Sequence, residues 1–199
     1  MGGGLPDKGR MQVIGAALSR WTMSYFAAAL LSLLVAEALM VAGYGFPTEA
    51  LRAPSTLIVV HLMTIGWLSL TMCGALCQFI PVLVEKPLHS DRLPLPALLL
   101  LVAGLIALVL GFLRLDGRVR LELPFLSAAA LFLGGGFLLV IWNLACTLWR
   151  ARPLALPARF VAVGLAALGA AAGLGVIFAL VLEQTGTGDL AARIHAGAV

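Results

Sequence analysis

Two histidines occupy positions at which an imidazole could bind a metal. His61 lies near the start of a long apolar stretch, residues 55–84. His195 lies in IHAGAV, residues 194–199, which resembles the beginning of another apolar segment. An imidazole in lipid is costly unless its nitrogens find partners, so the ring of His61 should face the bundle interior. If both segments cross a membrane in the same direction, the two rings lie at similar depth and could hold one metal centre.

The sequence leaves two interpretations of His61 open. As a metal ligand, it would bind iron through Nε2 while Nδ1–H is donated to a carbonyl or hydroxyl group. Alternatively, the ring makes an interhelical hydrogen bond and holds no cofactor. His89 is different, because it lies in the polar segment EKPLHSDR and is expected to be a solvated loop residue.

Glu37 is the only carboxylate well inside an apolar segment, LLVAEALMV. An acid in a membrane interior indicates a proton relay, a cation site or a partner for His61. The simpler alternative is a protonated glutamic acid bonded to a neighbouring helix. Together Glu37 and His61 suggest a second hypothesis, a cofactor-free, proton-coupled transporter or sensor.

The composition places the chain in a membrane. Of its 199 residues, 62% are hydrophobic and 11% are charged, whereas a soluble domain carries about 25% charged residues. The net charge of +4 does not indicate nucleic-acid binding, because the basic residues lie in short connections. The three cysteines fall in apolar segments and suggest neither a disulfide framework nor a zinc site. No HExxH or GxSxG motif is present, so no catalytic residue is predicted.

Apolar length predicts the architecture. A helix needs roughly 20 apolar residues to cross the hydrocarbon core. We therefore predict an all-α, polytopic transmembrane bundle forming a single domain, 1–199. Its five complete spans are expected at 21–46, 55–84, 94–114, 123–149 and 157–183, and a sixth span begins at residue 194 after a loop containing Gly186 and Gly188. A span interrupted by the last residue suggests the N-terminal half of a longer protein.

Loop charge predicts the orientation. With the N-terminus inside, the inner connections carry eight Lys or Arg residues and the outer ones five. We expect residues 1–20 to be cytoplasmic and the membrane to be a bacterial inner membrane. Arg52 and Arg193 would then lie near the outer surface above the histidines. They could pair with acidic groups of a cofactor, or be ordinary solvated arginines.

Small and amphipathic residues suggest how the spans pack. The fifth span contains GLAALGAAAGLG, residues 164–175, a surface that allows a neighbouring backbone to come close. Trp142, Asn143 and Trp149 are expected to anchor the fourth span at the membrane interface.

HLMTIGWLSLTMCGALCQFIPVL, residues 61–83, resembles the second transmembrane helix of the heme-copper oxidase subunit I superfamily. His61, Gly66, Trp67, Gly74 and Pro81 match the family pattern. In that family, the histidine near the outer end of this helix binds the low-spin heme b. IHAGAV is similar to the start of the family's sixth helix, which opens with a metal-binding histidine, the position of His195.

The resemblance implies the first half of a twelve-helix protein that binds heme b and takes part in electron transfer or respiration. His61 would be an axial ligand, and Arg193 or Arg52 would pair with the propionates. Copper is not expected from this chain alone, because the remaining metal ligands of the family lie in the missing half. The expected partners are the lipid bilayer, a C-terminal half or membrane subunit, and an electron donor. A scaffold subunit that only packs against partners is a third possibility.

Overall fold

The computed structural model describes residues 20–121 and 123–196, with side chains for 21–121 and 123–185. Its helices run up and down between short connections. The described chain forms α1 (Arg20–Val41), α2 (Pro54–Val84), α3 (Pro94–Leu115), α4 (Phe125–Arg150) and α5 (Leu156–Ala196). All five contain a segment long and apolar enough to cross a membrane. The predicted all-α transmembrane bundle is therefore confirmed.

Proline and glycine set the helix boundaries. Pro54 and Pro94 occupy the first turns of α2 and α3, where a missing N–H leaves no hydrogen bond unmade. α1 ends at Val41, five residues before the predicted end of the first span at residue 46. The reason is that Gly43 and Gly45 adopt φ of +76° and +87°, which turns the chain away from the helix.

α2 changes its helical geometry immediately after His61. Residues Pro54–His61 are α-helical, Leu62–Ser69 form a π-helix, and Leu70–Val84 return to α-helix. Within the π-helical segment, the Ser69 hydroxyl donates to the carbonyl of Thr64, five residues earlier, at 2.8 Å. π-helical insertions often occur at functional sites. This one begins beside the histidine singled out from the sequence.

Glycines bring α3 and α4 into close contact. A Cβ placed on Gly104 would come within 2.8 Å of the backbone nitrogen of Leu133, and one on Gly136 within 2.7 Å of the Leu101 side chain. α1 meets α2 in the same way, since Gly74 faces Tyr25 and Gly66 faces Ser32. Small residues at these positions let helices pack where the hydrophobic effect provides no drive.

α5 continues further than the sequence predicts. Instead of a loop at Gly186 and Gly188 and a new span at residue 194, the backbone is helical to Ala196. The 41 residues correspond to about 60 Å, roughly twice the hydrocarbon thickness. The physical reason is that each glycine costs only about 1 kcal/mol in a helix, and no proline follows Pro157 in the sequence.

Candidate functional site

A cavity of about 390 Å³ lies between α2, α3, α4 and α5. Its wall is almost entirely apolar, because His61 and Ser69 of α2 are the only lining residues with a polar side chain in the described part of the chain. The α5 side is made largely of small residues, including Ala171, Ala172 and Gly175. The cavity thus combines room for an apolar group with one imidazole, a combination typical of sites for small molecules and cofactors.

The imidazole of His61 is held from two sides. Nδ1 donates to the backbone carbonyl of Leu57 at 2.7 Å, since that carbonyl can only accept. The ring also packs against Phe112 of α3, with centroids 5.1 Å apart and planes tilted by 43°. The Nδ1 bond assigns the proton to that nitrogen in the neutral ring and leaves the Nε2 lone pair available. Metal-binding histidines are commonly oriented in this way.

An ion pair lies close to the cavity in sequence, because Arg114 and Glu183 follow the lining residues Phe112 and Leu182. Arg114 of α3 donates from Nη1 to Glu183 of α5 at 2.9 Å, and both side chains are largely buried. The other carboxylate oxygen of Glu183 accepts from the backbone N–H groups of Leu126 and Ser127 at the start of α4. A carboxylate at a helix N-terminus is stabilised by the exposed N–H groups and the helix dipole. Glu183 therefore joins three helices above the cavity.

We name the end of the bundle that contains the connections 42–53 and 116–124 the His61 end. These connections carry further charges. The Arg118 guanidinium lies 5.2 Å from the centroid of the Tyr44 ring and pairs with Asp116 at 2.7 Å. Burial raises the pKa of the Tyr44 hydroxyl, and Arg118 partly opposes that shift. Arg52 is exposed on the connection between α1 and α2. Arg114 is a further cation at this end, two residues after the lining residue Phe112.

The opposite end of the bundle, the His89 end, is fastened by a docked loop. The backbone N–H and carbonyl of Ser90 bond to the side chain of Asn143 at 2.9 and 3.0 Å, and the N–H of His89 donates to Thr147. The side chain of Asn143 is 2% exposed and fastens the loop to α4 from inside the bundle. The prediction that Asn143 anchors α4 at the membrane interface is therefore wrong. His89 is half-buried, and its Nδ1 is enclosed without a hydrogen bond among the described residues, in contrast to the expected solvated position.

Of the remaining predicted site residues, Glu37 lies away from the cavity. Glu37 is exposed on α1, whereas His61 faces α3 and the cavity, so the two are not in contact. The backbone of His195 lies twelve residues beyond Glu183, about 18 Å further along α5. The side chains of His195 and Arg193 lie outside the described part of the chain. Their proposed ligand and propionate roles remain predictions.

Sequence reasoning missed three residues of this region, Phe112, Arg114 and Glu183. One signal was available, because Glu183 is an acid at the end of an apolar segment, where it can meet an arginine of another span. Among the side chains that the structure describes, no group of three His, Cys, Asp or Glu residues could hold a metal ion. Comparisons with protein-family models, curated proteins and solved structures gave no match to this chain.

Proposed function

We propose that this chain is an integral membrane protein that binds heme b and takes part in electron transfer. The observation that carries the proposal is the setting of His61. Its Nδ1 is bonded to the Leu57 carbonyl, and its ring forms part of the wall of an otherwise apolar cavity. The resemblance of residues 61–83 to the heme-binding helix of the oxidase superfamily points to the same residue.

The residues of the cavity fit a porphyrin in two respects. Nε2 of His61 would bind the iron, and the Leu57 carbonyl would fix the ring orientation and increase its basicity. The aliphatic and aromatic wall would cover the macrocycle and keep water out. When bound, the group would supply a one-electron redox centre whose potential depends on axial ligand and burial. His61 and Phe112 would hold it from the α2–α3 side.

The Arg114–Glu183 pair would provide the polar end of such a site. It lies at the cavity end adjoining the connections, where the acidic groups of a porphyrin would meet solvent. Arg114 is engaged with Glu183 and the Leu123 carbonyl, so a second anion would share its guanidinium. We propose Arg114 for the role that the sequence suggested for Arg52 or Arg193. A further protein ligand for the iron would come from outside the described residues or from a partner subunit.

The charge distribution supports the orientation inferred above. Connections at the His89 end carry Lys86, Arg92, Arg150, Arg152 and Arg159 against Glu85 and Asp91. Excess positive charge is typical of the cytoplasmic side. We propose that the His89 end faces the cytoplasm of a bacterial cell, which places the heme site in the outer half of the membrane, within reach of an external electron donor.

A visible absorption spectrum tests the proposal. Full-length protein purified from membranes, with any subunit that copurifies, is expected to show the reduced bands of a b-type heme. His61→Ala should lower the heme-to-protein ratio by about tenfold or more, because it removes the axial nitrogen. Pyridine hemochrome analysis measures that ratio, and circular dichroism verifies that the helices are retained.

His89→Ala is the matched control, since it removes the other histidine with a described side chain from the opposite end of the bundle. It should leave the spectrum unchanged. The proposal fails if wild-type protein contains no porphyrin or if His61→Ala binds as much heme as wild type. Colourless wild-type protein would leave the cavity as a site for an apolar ligand other than heme.

A further inference from the structure

One side of α1 has no neighbour among the described helices. Its exposed residues recur at the spacing of a single helix face: Met23, Ala27, Leu30, Leu34, Glu37 and Val41. We name this surface the Glu37 face. The opposite side of α1 is occupied by Tyr25 and Ala36, which are fully buried. The Glu37 face therefore looks outward from the bundle into the membrane.

Glu37 is poorly suited to contact with lipid. It lies four residues before the end of α1, about 6 Å along the helix axis from that end. The two described ion pairs, Arg114–Glu183 and Arg118–Asp116, do not include it. Its position near the helix C-terminus also brings the carboxylate close to the negative end of the helix dipole. Ionisable residues in membrane segments almost always face protein or water and pair with another group.

The cavity does not supply that pairing group. Ser32, about 1.4 turns before Glu37, packs against Gly66 of α2, and Ala36 is buried on the same side. His61 faces Phe112 and the cavity on another side of α2. A partner for Glu37 must therefore approach from outside the described bundle.

We infer that the Glu37 face docks a transmembrane helix of another polypeptide that carries an arginine or lysine at the depth of Glu37. The leucines and Met23 would supply apolar contact, and Ala27 would allow close approach of the helices. A charge pair formed in the low dielectric of the membrane would make the contact selective for a cation. Two helices joined in this way bury the carboxylate against its partner charge.

A second copy of the chain is a poorer occupant. In a two-fold symmetric contact, the same face of both copies meets, so one Glu37 would lie opposite the other. Two carboxylates at close range cannot both ionise. Residues 21–41 contain no lysine or arginine that could compensate for this repulsion. Charge complementarity therefore favours a different chain with a cationic residue.

Synthetic transmembrane peptides provide a defined probe. The full chain, fluorescently labelled, is reconstituted in phosphatidylcholine vesicles with an acceptor-labelled Leu/Ala helix carrying one arginine in its outer third. The same helix with leucine at that position is the reference peptide. Energy transfer should show association with the arginine peptide about tenfold stronger than with the leucine peptide, corresponding to the gain from one charge pair.

Two variants separate this contact from general attraction between charges. Glu37→Gln should abolish the preference for arginine, whereas Glu85→Gln, which removes an exposed carboxylate at the other end of the bundle, should retain it. The inference is overturned if wild-type protein binds both peptides equally or if Glu37→Gln keeps the preference. Self-association of the chain that exceeds arginine-peptide binding and depends on Glu37 would overturn it in favour of a homodimer. Heme content has no bearing on these outcomes, so the inference stands or falls independently of the proposed function.

Discussion

The α3–α4 pair and α5 both contain many glycines and alanines, yet their surroundings are opposite. In the most apolar 18-residue segment of α3, 50% of the residues are buried, whereas in that of α5 only 6% are buried. A Cβ on Gly104 or Gly136 would collide with the facing helix, whereas one on Gly164 or Gly173 would meet no described atom within 4 Å. Small residues thus mark surfaces made for close helix contact, but they do not reveal whether the described chain itself supplies the contact.

The cavity lies at the boundary between these two regions. One wall belongs to the closely packed side, where His61 is held by the Leu57 carbonyl and Phe112. Part of the opposite wall is α5, which packs mainly against α4 and is tied at the His61 end by Glu183. The closely packed side thus holds the imidazole, and α5 forms part of the wall facing it.

The largest effect on stability is expected from Asn143→Ala in the closely packed region. The substitution removes two hydrogen bonds that fasten Ser90, in the loop before α3, to α4. Because Asn143 is buried, the Ser90 N–H and carbonyl would be left without these partners, at a cost of about 2–4 kcal/mol. Unfolding in mixed micelles at increasing fractions of SDS measures the loss.

Ser90→Ala is the control, because the bonds to Asn143 are made by the Ser90 backbone. It should change the unfolding midpoint little. If Asn143→Ala is no less stable than Ser90→Ala, the docked loop does not contribute to holding this end together, and the contrast between the two regions is weakened.

A smaller effect is expected from Glu183→Gln, which weakens the attachment of α5. The single amide oxygen of glutamine can still accept from both N–H groups at the start of α4, but the side chain loses the charge and the second acceptor oxygen that pair with Arg114. The expected loss is about 1–2 kcal/mol, from the helix-terminus charge and the charge-assisted hydrogen bond. SDS titration gives the free energy, and hydrogen exchange should show faster opening of α5 than of α3.

Asp116→Asn is the matched control, since it removes a carboxylate from an exposed pair with Arg118 on the connection between α3 and α4. Exposed pairs of this kind contribute little. Equal protection of α5 in wild type and Glu183→Gln would show that contact with α4 alone holds the helix. If Glu183→Gln lowers the free energy of unfolding more than Asn143→Ala does, then the attachment of α5 contributes more to stability than the docked loop, contrary to the proposed order.

The sequence predicted the helices well because hydrophobic length and proline position are local properties. Pro54 and Pro94 stand at helix starts, and the starts of all five predicted spans agree with the structure within two residues. The ends of the first and fifth spans were predicted less accurately than their starts. The first span stops early because two glycines adopt positive φ, and α5 continues past Gly186 and Gly188 because a glycine permits a turn without requiring one.

The site was only half predictable, because the sequence does not show whether a polar residue in an apolar segment lies on the buried or the exposed side of its helix. His61 was singled out correctly as a residue turned into the bundle, and it lines the cavity. Glu37 was expected to be a proton relay, a cation site, a partner for His61 or a protonated acid bonded to a neighbouring helix, and it is exposed on α1. The two differ in which side of a helix meets a neighbour, and this depends on packing between distant segments. The Arg114–Glu183 pair is 69 residues apart in sequence and is created by the same long-range packing.

The smallest effect, with opposite signs in the two regions, is expected from adding one methyl group to a glycine. Gly104→Ala should lower stability by about 1 kcal/mol, because the new Cβ meets the Leu133 backbone at 2.8 Å and overpacking outweighs the helix propensity gained. Gly173→Ala should raise stability by up to about 1 kcal/mol, since its Cβ enters open space and the propensity gain is unopposed. SDS titration of both purified variants checks the signs. If Gly173→Ala lowers the stability of the isolated chain, this face of α5 is already packed. The α3–α4 pair and α5 would then differ only in how closely they are packed.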